Sequence, residues 1–244
     1  MCFPHAGGAA SSYQDWAALT PPGTEVVAVQ YPGRQDRFAD PFATTMAELA
    51  DAITAVLLRE LADRPLALFG HSMGSAVAYE VARRLEDHPD VPLTRLFVSG
   101  RGRPRGPHEE APPQPDGTDA AILDYLRLLD PEGAAVYDIP ELLPIVMPAL
   151  RADFGLLRAY RPAHLHRLGI PITACGGDRD PVCPVEDLSS WAAATTAGAD
   201  VRVFEGNHFY LNPEKTELLA HITSRLAQDL REPLHDRGLP SGLP

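Results

Sequence analysis

Cysteine is scarce in this sequence: three residues among 244, at positions 2, 175 and 183. The odd count and the lack of a Cys-x-x-Cys pair argue against a disulfide framework or a cysteine zinc site. They fit a reducing, cytoplasmic setting. Long hydrophobic runs are missing too. No stretch of about 18 uncharged apolar residues occurs, so no membrane span is expected. The opening Met1-Cys2-Phe3-Pro4-His5 lacks the basic-then-apolar order of a secretion signal. Positive charge is in deficit, with 21 Lys and Arg against 33 Asp and Glu and a formal net charge of −12. That balance excludes general nucleic-acid binding, which needs a basic surface. His164 and His166 lie two apart without an acidic or cysteine partner nearby, so no metal site is expected. The glycines near the N-terminus are not followed by Gly-Lys-Ser/Thr, which disfavours a phosphate loop.

What is present suits a globular enzyme. Hydrophobic residues make up 45% of the chain and charged residues 22%, enough apolar material for a full core. Short apolar runs alternate with helical patterns. Strands are expected at 25–31, 66–70, 96–100, 170–175 and 201–204. Helices are expected at 45–63, 73–86, 120–129, 140–160 and near 185–197. In the first of these helices Met46, Leu49, Ile53, Val56, Leu57 and Leu61 share a face, and Thr45 and Glu48 have capping-box spacing. A last helix is expected to start at Asn212-Pro213, with Leu218, Ile222, Leu226 and Leu230 on its stripe. The alternation implies a mostly parallel central sheet with helices on both faces. Phe3-Pro4 would end a strand of which almost nothing is present, so either the chain is trimmed or the sheet opens with a very short edge strand. One domain is expected over 1–232, with its core at 1–100 and 168–232. Residues 101–167 break the rhythm and read as an inserted helical lid. Residues 233–244 read as a flexible tail.

The chemistry centres on Gly70-His71-Ser72-Met73-Gly74. A buried strand leads into this G-x-S-x-G sequence and a helix leads out, the arrangement of a nucleophile elbow. The elbow marks an α/β-hydrolase fold, with an ordinary strand–helix turn as the bland alternative. Ser72 would be the nucleophile, standing where helix dipoles favour developing negative charge. A serine needs a base. Of nine histidines, His208 follows the last strand, and in this fold the base comes last in the chain. His71 is next to the serine but points away from the elbow tip. His88, His108, His164, His166, His221 and His235 read as surface residues. The third member should follow an intervening strand, as Gly177-Asp178-Arg179-Asp180-Pro181 does. Asp180, farther out on the loop and beside Pro181, is preferred, with Asp178 structuring the turn. The oxyanion donors would be the amides of Met73 and of Ala6, with Gly7 as the alternative to Ala6. Cys183 has no visible activator and is a poor candidate nucleophile.

Five segments together resemble the type II thioesterases, the stand-alone editing enzymes of polyketide and nonribosomal peptide synthesis. They are Phe3-Pro4-His5-Ala6-Gly7-Gly8, Tyr31-Pro32-Gly33-Arg34, the Ser72 pentapeptide, Gly177 to Pro181, and Gly206-Asn207-His208-Phe209-Tyr210-Leu211. Pro148 to Phe154 is similar as well. The resemblance implies a Ser72–Asp180–His208 triad and hydrolysis of acyl groups from the phosphopantetheine arm of an acyl or peptidyl carrier protein. It implies no cofactor. Members of that family usually carry a further stretch before Phe-Pro-His.

Met147, Leu150 and Phe154 in the lid would then meet substrate. Arg101, Arg103 and Arg105, like Arg34 and Arg37, read either as a solvated loop or as a landing site for an acidic partner. The carrier protein would be that partner for the first cluster. A monomer is expected. The rivals are a general esterase or acyltransferase on the same fold, and an inactive hydrolase-like module that only binds carrier protein.

Overall fold

Five short, largely apolar runs form one parallel sheet, and their spacing along the chain calls for crossovers between them. The coordinates are a computed structural model that describes residues 1–231 except 62, 63, 89 and 111. The tail read as flexible, and His235 within it, lie outside the described residues. The strands are β1 (Cys2–Phe3), β2 (Leu66–His71), β3 (Leu93–Ser99), β4 (Ile172–Gly177) and β5 (Ala199–Phe204). They lie side by side in the order β1-β2-β3-β4-β5, every pair parallel. The helices are α1 (Trp16–Leu19), α2 (Met46–Glu60), α3 (Met73–Leu85), α4 (Asp119–Leu129), α5 (Leu143–Ala159), α6 (Val185–Ser189) and α7 (Lys215–Asp229).

Neighbouring strand residues point to opposite faces, and the core divides accordingly. Leu68, Leu96 and Ala174 join α2, α3 and Trp191 on one face. Phe69, Phe97 and Cys175 join Tyr13, Trp16 and the Leu218/Leu219/Ile222 stripe of α7 on the other. This is the α/β-hydrolase arrangement, with the carboxyl ends of β2, β3 and β4 at one edge. Between β3 and β4 the chain leaves the sheet through α4, a 3₁₀ turn (Gly133–Asp138) and α5. Their apolar faces, with Ile122, Leu126, Met147 and Leu150, merge into the α2/α3 core.

Local signals explain most helix ends. Thr45 Oγ1 accepts from the Glu48 amide at 3.0 Å, while the Glu48 carboxylate reaches back to Thr44 rather than Thr45. Val56 does not share the buried face of α2 and is 46% exposed. The expected strand at 25–31 is extended chain with a single bridge, Ala28 to Cys2, because its only neighbour in the sheet is two residues long. The last helix starts later than Asn212-Pro213. Residues 209–214 form turns closed by Asn212 N–H to Phe209 O and Glu214 N–H to Tyr210 O, and α7 begins at Lys215. Leu230 falls beyond its end and is 63% exposed. Among the described residues, no helix is long and apolar enough to cross a membrane.

Candidate active site

The turn from β2 into α3 holds Ser72 at φ 54°, ψ −114°, a conformation that costs a non-glycine residue energy. Several contacts sustain it. A Cβ on Gly70 would stand 2.1 Å from Gly74 O, and one on Gly74 would stand 2.0 Å from Phe3 O. Both positions therefore admit only glycine at this strand–helix spacing. The Ser72 amide donates to Ser99 O at 2.7 Å. Ser75 Oγ lies 2.8 Å from Gly70 O and 3.0 Å from both the O and the N of Ser99. Ser75 and Ser99 had no signal in the sequence, since a serine inside a helix or strand looks unremarkable until the fold pairs the two.

His208 lies across the cleft from the elbow and is buried. Its Nδ1 is 2.7 Å from Asp180 Oδ2. The other oxygen, Oδ1, accepts from the amides of Val182 and Cys183 at 3.0 and 3.1 Å, which fixes the carboxylate. An imidazole donating Nδ1–H to a carboxylate leaves its lone pair on Nε2. That Nε2 is buried and has no hydrogen-bond partner among the described residues, and His208 and Ser72 line the same cleft. Asp178 does not reach the imidazole. Its Oδ1 accepts from the Gly206 amide at 2.8 Å and ties the two loops together.

His71 lies beneath His208, ring centroids 4.9 Å apart. Its Nδ1 pairs with Ser99 Oγ at 2.9 Å, and Ser99 Oγ with Tyr210 Oη at 2.7 Å. Burial, with the nearby His208 and His5, keeps His71 well below the usual histidine range. Burial, then the nearby His208 and Arg34, brings His5 down to about 4. Gly100, at φ 63°, passes so close that a Cβ there would stand 2.9 Å from His71 Cε1 and 3.1 Å from His208 Cε1.

The loop after β1 brings Ala6 to the cleft wall. Its neighbours' amides are occupied: Gly7 N–H donates to Asp153 Oδ2 at 2.8 Å and Gly8 N–H to His5 O at 2.9 Å. The Ala6 N–H has no acceptor among the described residues. Met73 is the first residue of α3, where an amide has no acceptor within its own helix. Gly7 is thus withdrawn as an alternative donor.

The remaining residues divide. Phe154 lines the cleft, together with Tyr125, Leu126, Leu129 and Leu157. Met147 and Leu150 do not; they pack into the core, and Leu150 lies over Gly7. The arginines are not a free cationic patch. Arg103 pairs with Glu109 at 2.5 Å and Arg105 with Asp187 at 3.0 Å, and both face the cleft with Arg101. Arg34 is buried against Asp153 and is no landing site. Of the histidines read as surface residues, His221 is partly buried and its Nε2 lacks a partner among the described residues. Burial raises the Cys183 thiol far above the ordinary cysteine value, so it carries no thiolate.

Known proteins fit this geometry. A family model described as a thioesterase domain matches residues 1–226. "Probable cadicidin biosynthesis thioesterase" of Streptomyces griseus is 39% identical over 241 residues. The alignment covers 99% of this chain and 64% of that one, so the chain spans under two thirds of that relative's length. RedJ, the thioesterase of prodiginine biosynthesis in Streptomyces coelicolor, superposes with a TM-score of 0.83 at 33% identity, covering 91% of this chain and 83% of RedJ. The type II thioesterase BorB of the borrelidin cluster gives 0.78 at 35%, covering 92% and 91%. Matched over nearly its whole described length in sequence and in backbone, the chain belongs to the thioesterase family.

Proposed function

We propose that the protein is a type II thioesterase that hydrolyses acyl groups from the phosphopantetheine arm of a carrier protein, clearing stalled or aberrant units in polyketide or nonribosomal peptide synthesis. The carrier-bound substrate is what the resemblance implies, and the likeness to BorB, a type II thioesterase, supports it; the scarce, odd-numbered cysteines support a cytoplasmic setting. The observation that carries the chemistry is the 2.7 Å contact between His208 Nδ1 and Asp180 Oδ2, with Nε2 unpartnered in the cleft that holds Ser72.

The residues support a two-step reaction. Ser72 Oγ attacks the thioester carbonyl and passes its proton to His208 Nε2, while Asp180 stabilises the imidazolium. The amides of Met73 and Ala6 hold the oxyanion. The C–S bond breaks, the thiol leaves with the proton from His208, and an acyl-Ser72 ester remains. Water then gives a proton to His208 as it attacks the ester, the Oγ–acyl bond breaks, and His208 returns that proton to Ser72 Oγ, releasing the acid. Neutral His71 beneath His208 spares the imidazolium a second cation in contact. The segment carrying α4 and α5 acts as the lid, with Phe154 in the acyl wall.

A fluorophosphonate probe tests the nucleophile: labelling is expected for the native protein and absent for Ser72→Ala. Turnover of acyl-carrier thioesters against simple esters tests the substrate class. Faster hydrolysis of simple esters would turn the reading to a general esterase. No labelling of the native protein, with no turnover of either substrate, would leave the inactive binding module.

A further inference from the structure

Among the described residues the cleft wall contains a charge with no counter-charge. Arg101 follows Gly100, the residue pressed against the imidazoles of His71 and His208, so its Cα lies about 3.8 Å farther along the wall. Its carbonyl is fixed by Trp191 Nε1–H at 2.7 Å. Its guanidinium has no ion pair or hydrogen bond among the described residues. The nearby carboxylates are all engaged. Asp187 holds Arg105, Glu109 holds Arg103, Asp180 holds His208, and Glu80 holds Arg83, Arg84 and Tyr160.

The groups around Arg101 are Tyr125, Tyr160, Cys183 and another cation, Arg161. The tyrosines and the thiol are neutral, since burial raises Tyr125 to about 12 and the other two further. Burial also pulls the Arg101 guanidinium below its ordinary value, yet arginine does not shed its proton. A second polar group faces the same cleft: Gln114 Oε1 is buried without a partner among the described residues. A half-buried cation without a counter-charge and a buried amide oxygen without a partner among the described residues are costly to the free protein and suit a ligand that brings an acid.

We infer that Arg101 and Gln114 form a subsite for a carboxylate on the acyl chain, so that monothioesters of dicarboxylic acids are substrates of this enzyme. The inference rests on the thioesterase reading above. The guanidinium supplies a planar fork for the carboxylate, and the Gln114 amide, turned to present its NH₂, donates as well. The arm's phosphate is the other anion in such a substrate. It sits at the far end of pantetheine, whereas Arg101 is rooted one residue from the contact with His208, within range of the acyl group.

The test uses pantetheine thioesters, which carry no phosphate. Malonyl, succinyl and glutaryl groups are compared with neutral chains of the same shape, isovaleryl standing for malonyl. In Arg101→Met, at least one charged member is expected to lose about tenfold or more in kcat/KM, as for a charged hydrogen bond. Its neutral partner should change by less than about twofold. Gln114→Leu should shift the same ratio in the same direction, and Arg101→Lys should restore part of it.

Equal losses on charged and neutral chains, or none on any, would overturn the subsite. So would a loss shared by both chain types that appears only with phosphopantetheine thioesters, since Arg101 would then hold the phosphate. If the native protein hydrolyses no thioester, the thioesterase reading fails. Calorimetric binding of the charged pantetheine thioesters to Ser72→Ala, with and without Arg101→Met, then decides the subsite alone: about tenfold weaker binding sustains it, and unchanged binding ends it.

Discussion

Arg34 closes on Asp153 through two buried hydrogen bonds of 2.6 and 2.8 Å, joining residues 119 apart in the chain. The same carboxylate accepts the Gly7 amide at 2.8 Å, and the guanidinium donates to Gly8 O at 3.1 Å. The pair therefore clamps the loop that carries Ala6 to α5. A buried pair of this kind adds little over an apolar substitute, but breaking it strands a charge.

Arg34→Met or Asp153→Leu alone should each cost about 3–5 kcal/mol. The double variant should recover a coupling of about 1–3 kcal/mol. Surviving single variants should lose kcat more than they raise KM, because the loop positions the Ala6 amide proposed to hold the oxyanion. Urea unfolding and steady-state kinetics measure both. Additive losses with native kcat would show that the clamp serves neither purpose.

The sequence exposed what is local and hid what is distant. The elbow was readable because strand, glycine, serine, glycine and helix fall within a few residues, and because serine, acid and histidine keep one order in this fold. The Thr45 cap and the helical stripes are local in the same sense. The Arg34–Asp153 clamp was not readable: an arginine after Pro-Gly and an aspartate in a helix gain their meaning only when the topology joins them. The same holds for Ser99 with Tyr210, and for Arg95 with Asp229 at 2.7 and 2.8 Å. Residues 25–31 keep only the bridge from Ala28 to Cys2 among the described residues, because apolar alternation says nothing about the length of the partner strand.

Acid sensitivity should trace in part to His71. In the folded protein burial keeps this ring neutral to well below the usual value, while in the unfolded chain it gains a proton near pH 6.5. The unfolded state thus binds more protons below that pH, and stability falls as pH falls through it. His71→Asn, which retains a partner for Ser99 Oγ, should be less stable at pH 8. Its stability should decline between pH 6.5 and 5 less steeply than the native protein's, by up to about 1.4 kcal/mol per pH unit. Parallel slopes in urea titrations would remove His71 from the account.

Two glycine substitutions should go opposite ways. In Gly74→Ala the new Cβ would meet Phe3 O at 2.0 Å and Pro4 O at 2.8 Å. Backbone must move, at about 3 kcal/mol, the upper end for overpacking. The loop pushed aside is the one carrying Ala6, so kcat should fall too. Gly155, within α5, has nothing within 4 Å of a Cβ, and Gly155→Ala should stabilise by about 0.8–1 kcal/mol through helix propensity. Thermal unfolding of the pair separates a contact effect from a general intolerance of glycine replacement.

The two aspartates of the loop after β4 should separate cleanly in kinetics. Asp180 grips His208 Nδ1 and is itself held by two amides. Asp180→Asn would present either a neutral oxygen or an NH₂ to the ring, losing the charge proposed to stabilise the imidazolium or forcing the wrong tautomer. A loss in kcat of about 10³–10⁴-fold is expected, with KM little changed. Asp178 is exposed and accepts one amide, from Gly206. Asn at 178 still offers an oxygen to that amide, so kcat should stay within about twofold and stability should change by less than about 1 kcal/mol. A fall in kcat at 178 comparable to that at 180 would mean that the loop shifts on binding substrate and that the carboxylates exchange roles.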